Sequence, residues 1–201
     1  AIEARRPVAM ICTSGSAALN YGPALAEAFY RRIPLIAVTA DRPAEWIDQD
    51  DSQTIRQPEL FANIVKGSYN LTAERGGVVE AWYFNRVVND ALTTALRGPA
   101  GPVHINVQLD DPLSGSTDIC MPQRKIECDE PDAFLPGETL ARLAREIAAK
   151  KTLIIIGFNR PDPQLADSLG SLSRRDNVVV IHEAQSNLRH VDGALGNIDA
   201  T

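Results

Sequence analysis

Apolar residues in this chain gather in short continuous runs and in helical periods. Val8-Ala9-Met10-Ile11-Cys12 is a run of strand length, of the kind buried on both faces of a parallel sheet, and it ends at Thr13-Ser14-Gly15-Ser16. Over residues 17–32, Leu19, Pro23, Ala24, Ala28 and Phe29 recur opposite polar positions, predicting a helix that Gly22-Pro23 must interrupt or restart. Residues 34–40 form a second short apolar run closed by Asp41-Arg42-Pro43, which completes a βαβ unit. Residues 41–69 are polar and irregular, and a loop of that length in a compact domain is usually functional. Val78, Val79, Trp82, Val87, Val88, Ala91, Leu92, Ala95 and Leu96 then recur at three- and four-residue steps, predicting a helix that stops at Gly98-Pro99. Residues 103–109 predict a third strand with partly alternating faces, ending at Asp110-Asp111-Pro112-Leu113.

A second α/β pattern follows. Residues 114–136 mix Pro, Gly, Ser and charges without a period, as an inter-domain crossing does. Beyond them Leu140, Leu143, Ile147 and Ala148 share a helical face, residues 152–156 and 177–182 read as strands, and Leu165, Leu169 and Leu172 as a helix between them. The expected division is therefore 1–113, a linker at 114–136, and 137–201, with parallel α/β architecture in both parts. The chain opens without Met and enters a buried-strand pattern almost at once, so it reads as an excerpt of a longer protein.

Composition narrows the chemistry. Of 201 residues 44% are hydrophobic and the net charge is −6, which fits an ordinary globular protein and offers no basic field for nucleic acid. No apolar stretch approaches the roughly 20 residues that span a bilayer. Cys12, Cys120 and Cys128 are odd in number and lack CxxC spacing, which points to a reducing, cytoplasmic setting. His104, His182 and His190 form no zinc-ligand spacing, so core or surface roles are expected and no metal site. Asn70-Leu71-Thr72 matches a glycosylation sequon, read as accidental.

Ligands of open α/β sheets bind beyond the carboxyl ends of the strands. That singles out the small hydroxylated loop at Thr13–Ala17, where Ser14 or Ser16 could equally be a helix N-cap. It also singles out Arg42, whose guanidinium could take a carboxylate in two parallel bonds or pair with a neighbouring Asp. Gln53 and Arg56 could bring an amide and a second cation to the same mouth, or lie solvated in their loop. The residues alone stop at an α/β protein for a small anionic molecule.

Three runs carry further information: Thr13-Ser14-Gly15-Ser16-Ala17-Ala18-Leu19-Asn20, then Thr39-Ala40-Asp41-Arg42-Pro43, then Gln53-Thr54-Ile55-Arg56-Gln57-Pro58. With Gly101-Pro102-Val103-His104-Ile105-Asn106 and Asp111-Pro112-Leu113 they resemble the 2-succinyl-5-enolpyruvyl-6-hydroxy-3-cyclohexene-1-carboxylate synthases, thiamine-diphosphate enzymes of menaquinone biosynthesis. The resemblance implies the later part of a pyrimidine-binding α/β/α domain, then part of a Rossmann-like central domain. It implies decarboxylation of 2-oxoglutarate and addition of the succinyl-semialdehyde unit to isochorismate, in a homo-oligomer. It places Arg42, Gln53 and Arg56 at substrate and Ser14, Gly15 and Asn20 near the cofactor's pyrimidine. The activating glutamate and the Mg²⁺ or Mn²⁺ diphosphate site are expected outside this chain, which should be inactive alone. Where the family often has Asn before that glutamine, this chain has Ser52. Another thiamine-diphosphate decarboxylase or carboligase, or a non-catalytic α/β ligand-binding module, are the alternatives.

Overall fold

The computed structural model describes residues 1–4, 6–73, 77–110, 124–129, 134–188 and 191–196. The expected stop at Asp111-Pro112-Leu113, much of the 114–136 crossing segment, Cys120 and His190 lie outside them. The chain divides into two compact units, Ala1–Glu130 and Pro131–Thr201.

The first unit holds four parallel strands, β1 (Val8–Cys12), β2 (Leu35–Asp41), β3 (Ser68–Leu71) and β4 (Val103–Gln108), in the order β1-β2-β4-β3. Helices α1 (Ser16–Leu19) and α2 (Gly22–Tyr30) follow β1, divided where Gly22-Pro23 was expected to interrupt; Pro23 sits in the first turn of α2, where a missing N–H costs nothing. The 19-residue α3 (Val78–Leu96) precedes β4.

In the central strands, alternation sorts the two faces. Ile36, Val103 and Ile105 pack with Leu71 under Ala91 and Ala95 of α3, a close-packed apolar layer with Val38, Val87, Val88 and Val107 around it. The opposite face of the same strands carries Thr39 and Asp41 on β2, and His104, Asn106 and Gln108 on β4, all buried. Leu25, Ala37, Phe61 and Val65 form a second apolar cluster. Polar groups are thus buried on this face of the sheet, where burial is costly without a partner, and His104 Nδ1 has none among the described residues.

Two readings of the pattern are corrected. Val8–Cys12 is a strand with the expected bounds, but among the described residues it is an edge strand with alternating exposure, and Ile11 is 75% exposed. The polar stretch at 41–69 also contains the start of β3, which has no apolar run and joins the sheet by pairing Asn70 beside Asn106.

The second unit has β5 (Thr152–Ile156), β6 (Val178–His182) and the two-residue β7 (Leu195–Gly196), parallel and in that order. Helices α4 (Gly137–Ala149) and α5 (Pro163–Ser173) flank β5 in the chain. The Asp162 side chain accepts the Leu165 N–H and Pro163 opens the helix, a complete start signal for α5. Leu169, Val178, Val180, Leu188 and Val191 form the core. No helix of the described residues is long and apolar enough to cross a membrane.

Candidate functional site

The carboxyl ends of β1 and β2 and the loop after β2 converge on one polar lip. Beyond β1 the chain turns at Gly15, whose φ of 76° belongs to the region glycine tolerates and side chains rarely adopt. Gly15 stands at the N-cap position of α1 and no side chain caps the helix, so neither Ser14 nor Ser16 takes the capping role. A Cβ on Gly15 would stand 2.8 Å from the Gln53 carbonyl oxygen, so glycine lets these two loops touch. Gln53 itself has a φ of 57° and its Nε2 donates to Thr13 Oγ1 at 3.3 Å and to the Ser14 carbonyl at 3.2 Å. Ser14, Gly15 and Gln53, singled out separately in the sequence, are therefore one contact.

Arg42 follows β2 and is half-buried. Its Nε donates to Asp51 Oδ2 at 2.7 Å, in a pair whose side chains are 25% and 24% exposed. Hydrogen bonding to Arg42 holds the Asp51 carboxyl below its ordinary pKa. Arg42, Pro43, Trp46, Asp51 and Asp110 line a shallow cleft. Arg56 stands farther into solvent, its guanidinium 2.8 Å from Asp48 Oδ2, with side chains 81% and 55% exposed. Asn20 is exposed and its side chain bonds back to the Ser16 carbonyl at 3.5 Å, in its own helix turn. The loop thus brings Asp51 to Arg42 and Asp48 to Arg56.

Beneath the lip lies a network that the sequence reading did not identify. Asn106 Nδ2 donates to Asp41 Oδ2 at 2.7 Å and to Asn70 Oδ1 at 2.8 Å, while its Oδ1 accepts from Thr39 Oγ1 at 2.9 Å and from Gln57 Nε2 at 2.9 Å. Gln57 also donates to the Ala40 carbonyl at 2.8 Å and accepts the Gly15 N–H at 2.7 Å. Thr39 has one hydroxyl proton and gives it to Asn106, so the 2.8 Å contact from His104 Nε2 makes that nitrogen the donor. His104 is then neutral with the proton on Nε2, and burial lowers its pKa to about 4. Burial pushes Asp41 up, opposed by bonds from Asn106 and the Arg42 N–H. The only local signal was the period-two polarity of His104, Asn106 and Gln108 inside an otherwise apolar strand.

Residues 2–60 match the family described as thiamine pyrophosphate enzyme, N-terminal TPP binding domain, and they lie in the unit that carries the parallel sheet β1-β2-β4-β3. More narrowly, the chain is similar to proteins named 2-succinyl-5-enolpyruvyl-6-hydroxy-3-cyclohexene-1-carboxylate synthase. It is 44% identical over 191 residues to that of Porphyromonas gingivalis, covering 94% of this chain and 33% of that protein. It is 42% identical to that of Desulfotalea psychrophila, over 94% of this chain and 36% of the relative, and 35% identical to that of Cytophaga hutchinsonii, over 98% and 35%. The chain spans about a third of the length of these relatives.

The donor set bears on which end of thiamine diphosphate this unit could meet. Thr13 Oγ1, the Ser14 carbonyl and the Gln53 amide are neutral donors and acceptors suited to a polar heteroaromatic ring. Among the described residues no group of three His, Cys, Asp or Glu could hold a metal ion, and the Gly15 N–H is already engaged by Gln57. Their neutral chemistry is compatible with the ring end of that cofactor.

Proposed function

We propose that this chain is part of a thiamine-diphosphate-dependent synthase that decarboxylates 2-oxoglutarate and joins the resulting succinyl-semialdehyde unit to isochorismate. In this reading residues 1–113 are the later part of the pyrimidine-binding domain, 114–136 the linker and 137–201 part of the central domain. The cofactor supplies the carbanion chemistry, and the protein supplies orientation and charge. Ser14, Gly15 and Asn20 lie toward its pyrimidine, and Mg²⁺ or Mn²⁺ is held by residues elsewhere in the whole protein. The chain alone is inactive, and the whole protein is a cytoplasmic homo-oligomer.

The observation that carries the reading is the joining of Gln53 to the Thr13–Ser14 lip, with Arg42 and Asp51 in the adjoining cleft. Both proposed substrates are polycarboxylates, and a half-buried guanidinium held in place by Asp51 can exchange that carboxylate for a substrate's with little reorganisation. With its NH2 engaged by Thr13 and Ser14, Gln53 offers its amide oxygen to a substrate hydroxyl next to the cofactor ring, and Arg56 adds positive charge at the rim.

The test is turnover by the full-length protein. Product formation is expected only with 2-oxoglutarate, isochorismate, thiamine diphosphate and a divalent ion together. Equal turnover of an unrelated 2-oxo acid, with no requirement for isochorismate, would point to a different decarboxylase or carboligase.

A further inference from the structure

Gln57 is fully buried, at 0% exposure, and its three hydrogen bonds reach three separate parts of the sheet's carboxyl end. Its Oε1 takes the Gly15 N–H at 2.7 Å across 42 residues of chain. Its Nε2 ties the end of β2 through the Ala40 carbonyl at 2.8 Å, and β4 through Asn106 Oδ1 at 2.9 Å. The amide can lie only one way round. A backbone N–H must face the oxygen and a backbone carbonyl must face the NH2, so a flip would make both contacts mismatched.

Gly15 is also the residue against which Gln53 closes, with its carbonyl oxygen and Cγ only 2.8 Å and 3.0 Å from where a Cβ would be. The height of the Gly15 loop above the sheet therefore sets where the Gln53 amide can sit. Gln57 fixes that height from below and is sealed from any ligand by burial.

We infer that Gln57 is a positioning residue for the carboxylate-substrate site, acting through Gly15 on the Gln53 amide. The inference rests on the reading of Gln53 as a substrate contact. It differs from a generic core role in what it couples: damage at Gln57 should be felt at the step Gln53 serves, and should matter little once Gln53 has lost its amide.

The experiment is a double-mutant cycle in the full-length enzyme. Gln57→Glu keeps an acceptor for Gly15 but removes the donors to Ala40 and Asn106. It is expected to lower kcat/KM for the carboxylate substrates about tenfold with Gln53 present, and less than about threefold in a Gln53→Ala background, while thiamine-diphosphate affinity changes by less than about threefold. The same fold-loss in both backgrounds, or a loss confined to the folded fraction measured by thermal melting, would overturn the proposal and leave the substrate site standing. An unchanged kcat/KM for Gln53→Ala would overturn the substrate reading of Gln53 and this proposal with it. If Gln57→Glu does not fold, Gln57→Met, which fills similar space without a charge to bury, goes through the same cycle under the same criteria.

Discussion

Gly15 and Gln53 touch backbone to backbone: a single added methyl at Gly15 would come within 2.8 Å of the Gln53 carbonyl oxygen. Gly15 also holds a φ of 76°, so Gly15→Ala meets both steric conflict and backbone strain. Strain of this kind costs about 1–3 kcal/mol. The variant is expected to melt several degrees lower than the parent, and to lose activity in the full-length enzyme beyond what lost protein explains. An unchanged melting temperature would mean that the Gln53 loop withdraws and that the backbone at position 15 relaxes out of its positive φ.

The buried His104 makes stability depend on pH in a defined direction. Its folded pKa of about 4 lies below the ordinary value of 6.5, so from 6.5 downward the unfolded chain takes up a proton that the folded chain refuses. The stabilising contribution is full above 6.5 and is lost as pH falls toward 4, by on the order of 3 kcal/mol over the window. Asp41 works with the opposite sign: raised by burial, it favours the protonated folded form and its contribution falls as pH rises above the ordinary carboxylate value. His104→Gln retains a donor for Thr39 but cannot titrate. The gap in unfolding free energy between parent and variant should narrow from pH 6.5 to 4; parallel curves would contradict a neutral buried imidazole.

What was legible in the sequence follows from how local each signal is. Val8–Cys12 and Thr152–Ile156 are apolar runs flanked by turns, and both are strands with the expected bounds. Ser68–Leu71 is a strand by virtue of its partner β4, and nothing in Ser68, Tyr69, Asn70 and Leu71 separates it from the polar loop before it. Arg42 and Gln53 could be singled out because charge and loop position are visible locally. That Gln53 closes on Gly15 depends on a contact 38 residues away in sequence. Gln57 looked like one more polar loop residue, and its burial is decided by the Gly15 N–H and Asn106, both distant in the chain. Asn20, placed near the cofactor's pyrimidine only by the resemblance, has its side chain bonded within its own helix turn.

The two arginines should separate in experiment. Arg42 is half-buried with Asp51, whereas Arg56 and Asp48 are an exposed pair of the kind worth less than about 1 kcal/mol. Arg42→Ala in the full-length protein is expected to reduce kcat/KM for the proposed carboxylate substrates by about tenfold or more while cofactor binding stays nearly intact. Arg56→Ala should have a smaller effect that fades with added salt. Unchanged kcat/KM in Arg42→Ala would end its assignment as a substrate contact.

Asn106 is where the polar face of the sheet is most vulnerable, because one side chain satisfies Asp41, Asn70, Thr39 and Gln57 at once. Asn106→Ala removes two donors and an acceptor from a buried site, leaving Asp41 with a carboxylate oxygen that has lost its side-chain donor. A buried polar group deprived of its partner costs about 1–3 kcal/mol, more when charged, so a total loss of about 3 kcal/mol or more is expected. Both tryptophans of the chain, Trp46 and Trp82, lie in the first unit, so fluorescence-monitored unfolding of this chain reports on that unit directly. The second unit should be unaffected, since its core is built from separate residues, Leu169, Val178, Val180, Leu188 and Val191. Asn106→Asp sharpens the argument, because it sets a second carboxyl group 2.7 Å from Asp41. Two carboxylates so close cannot both stay ionised, and the pair should retain a proton. That variant is expected to be destabilised at neutral pH and to recover more of its loss relative to the parent on mild acidification than Asn106→Ala, which raises Asp41 only by removing its donor. Equal pH dependence in the two variants would mean that solvent enters and screens Asp41, and that the polar face is not sealed.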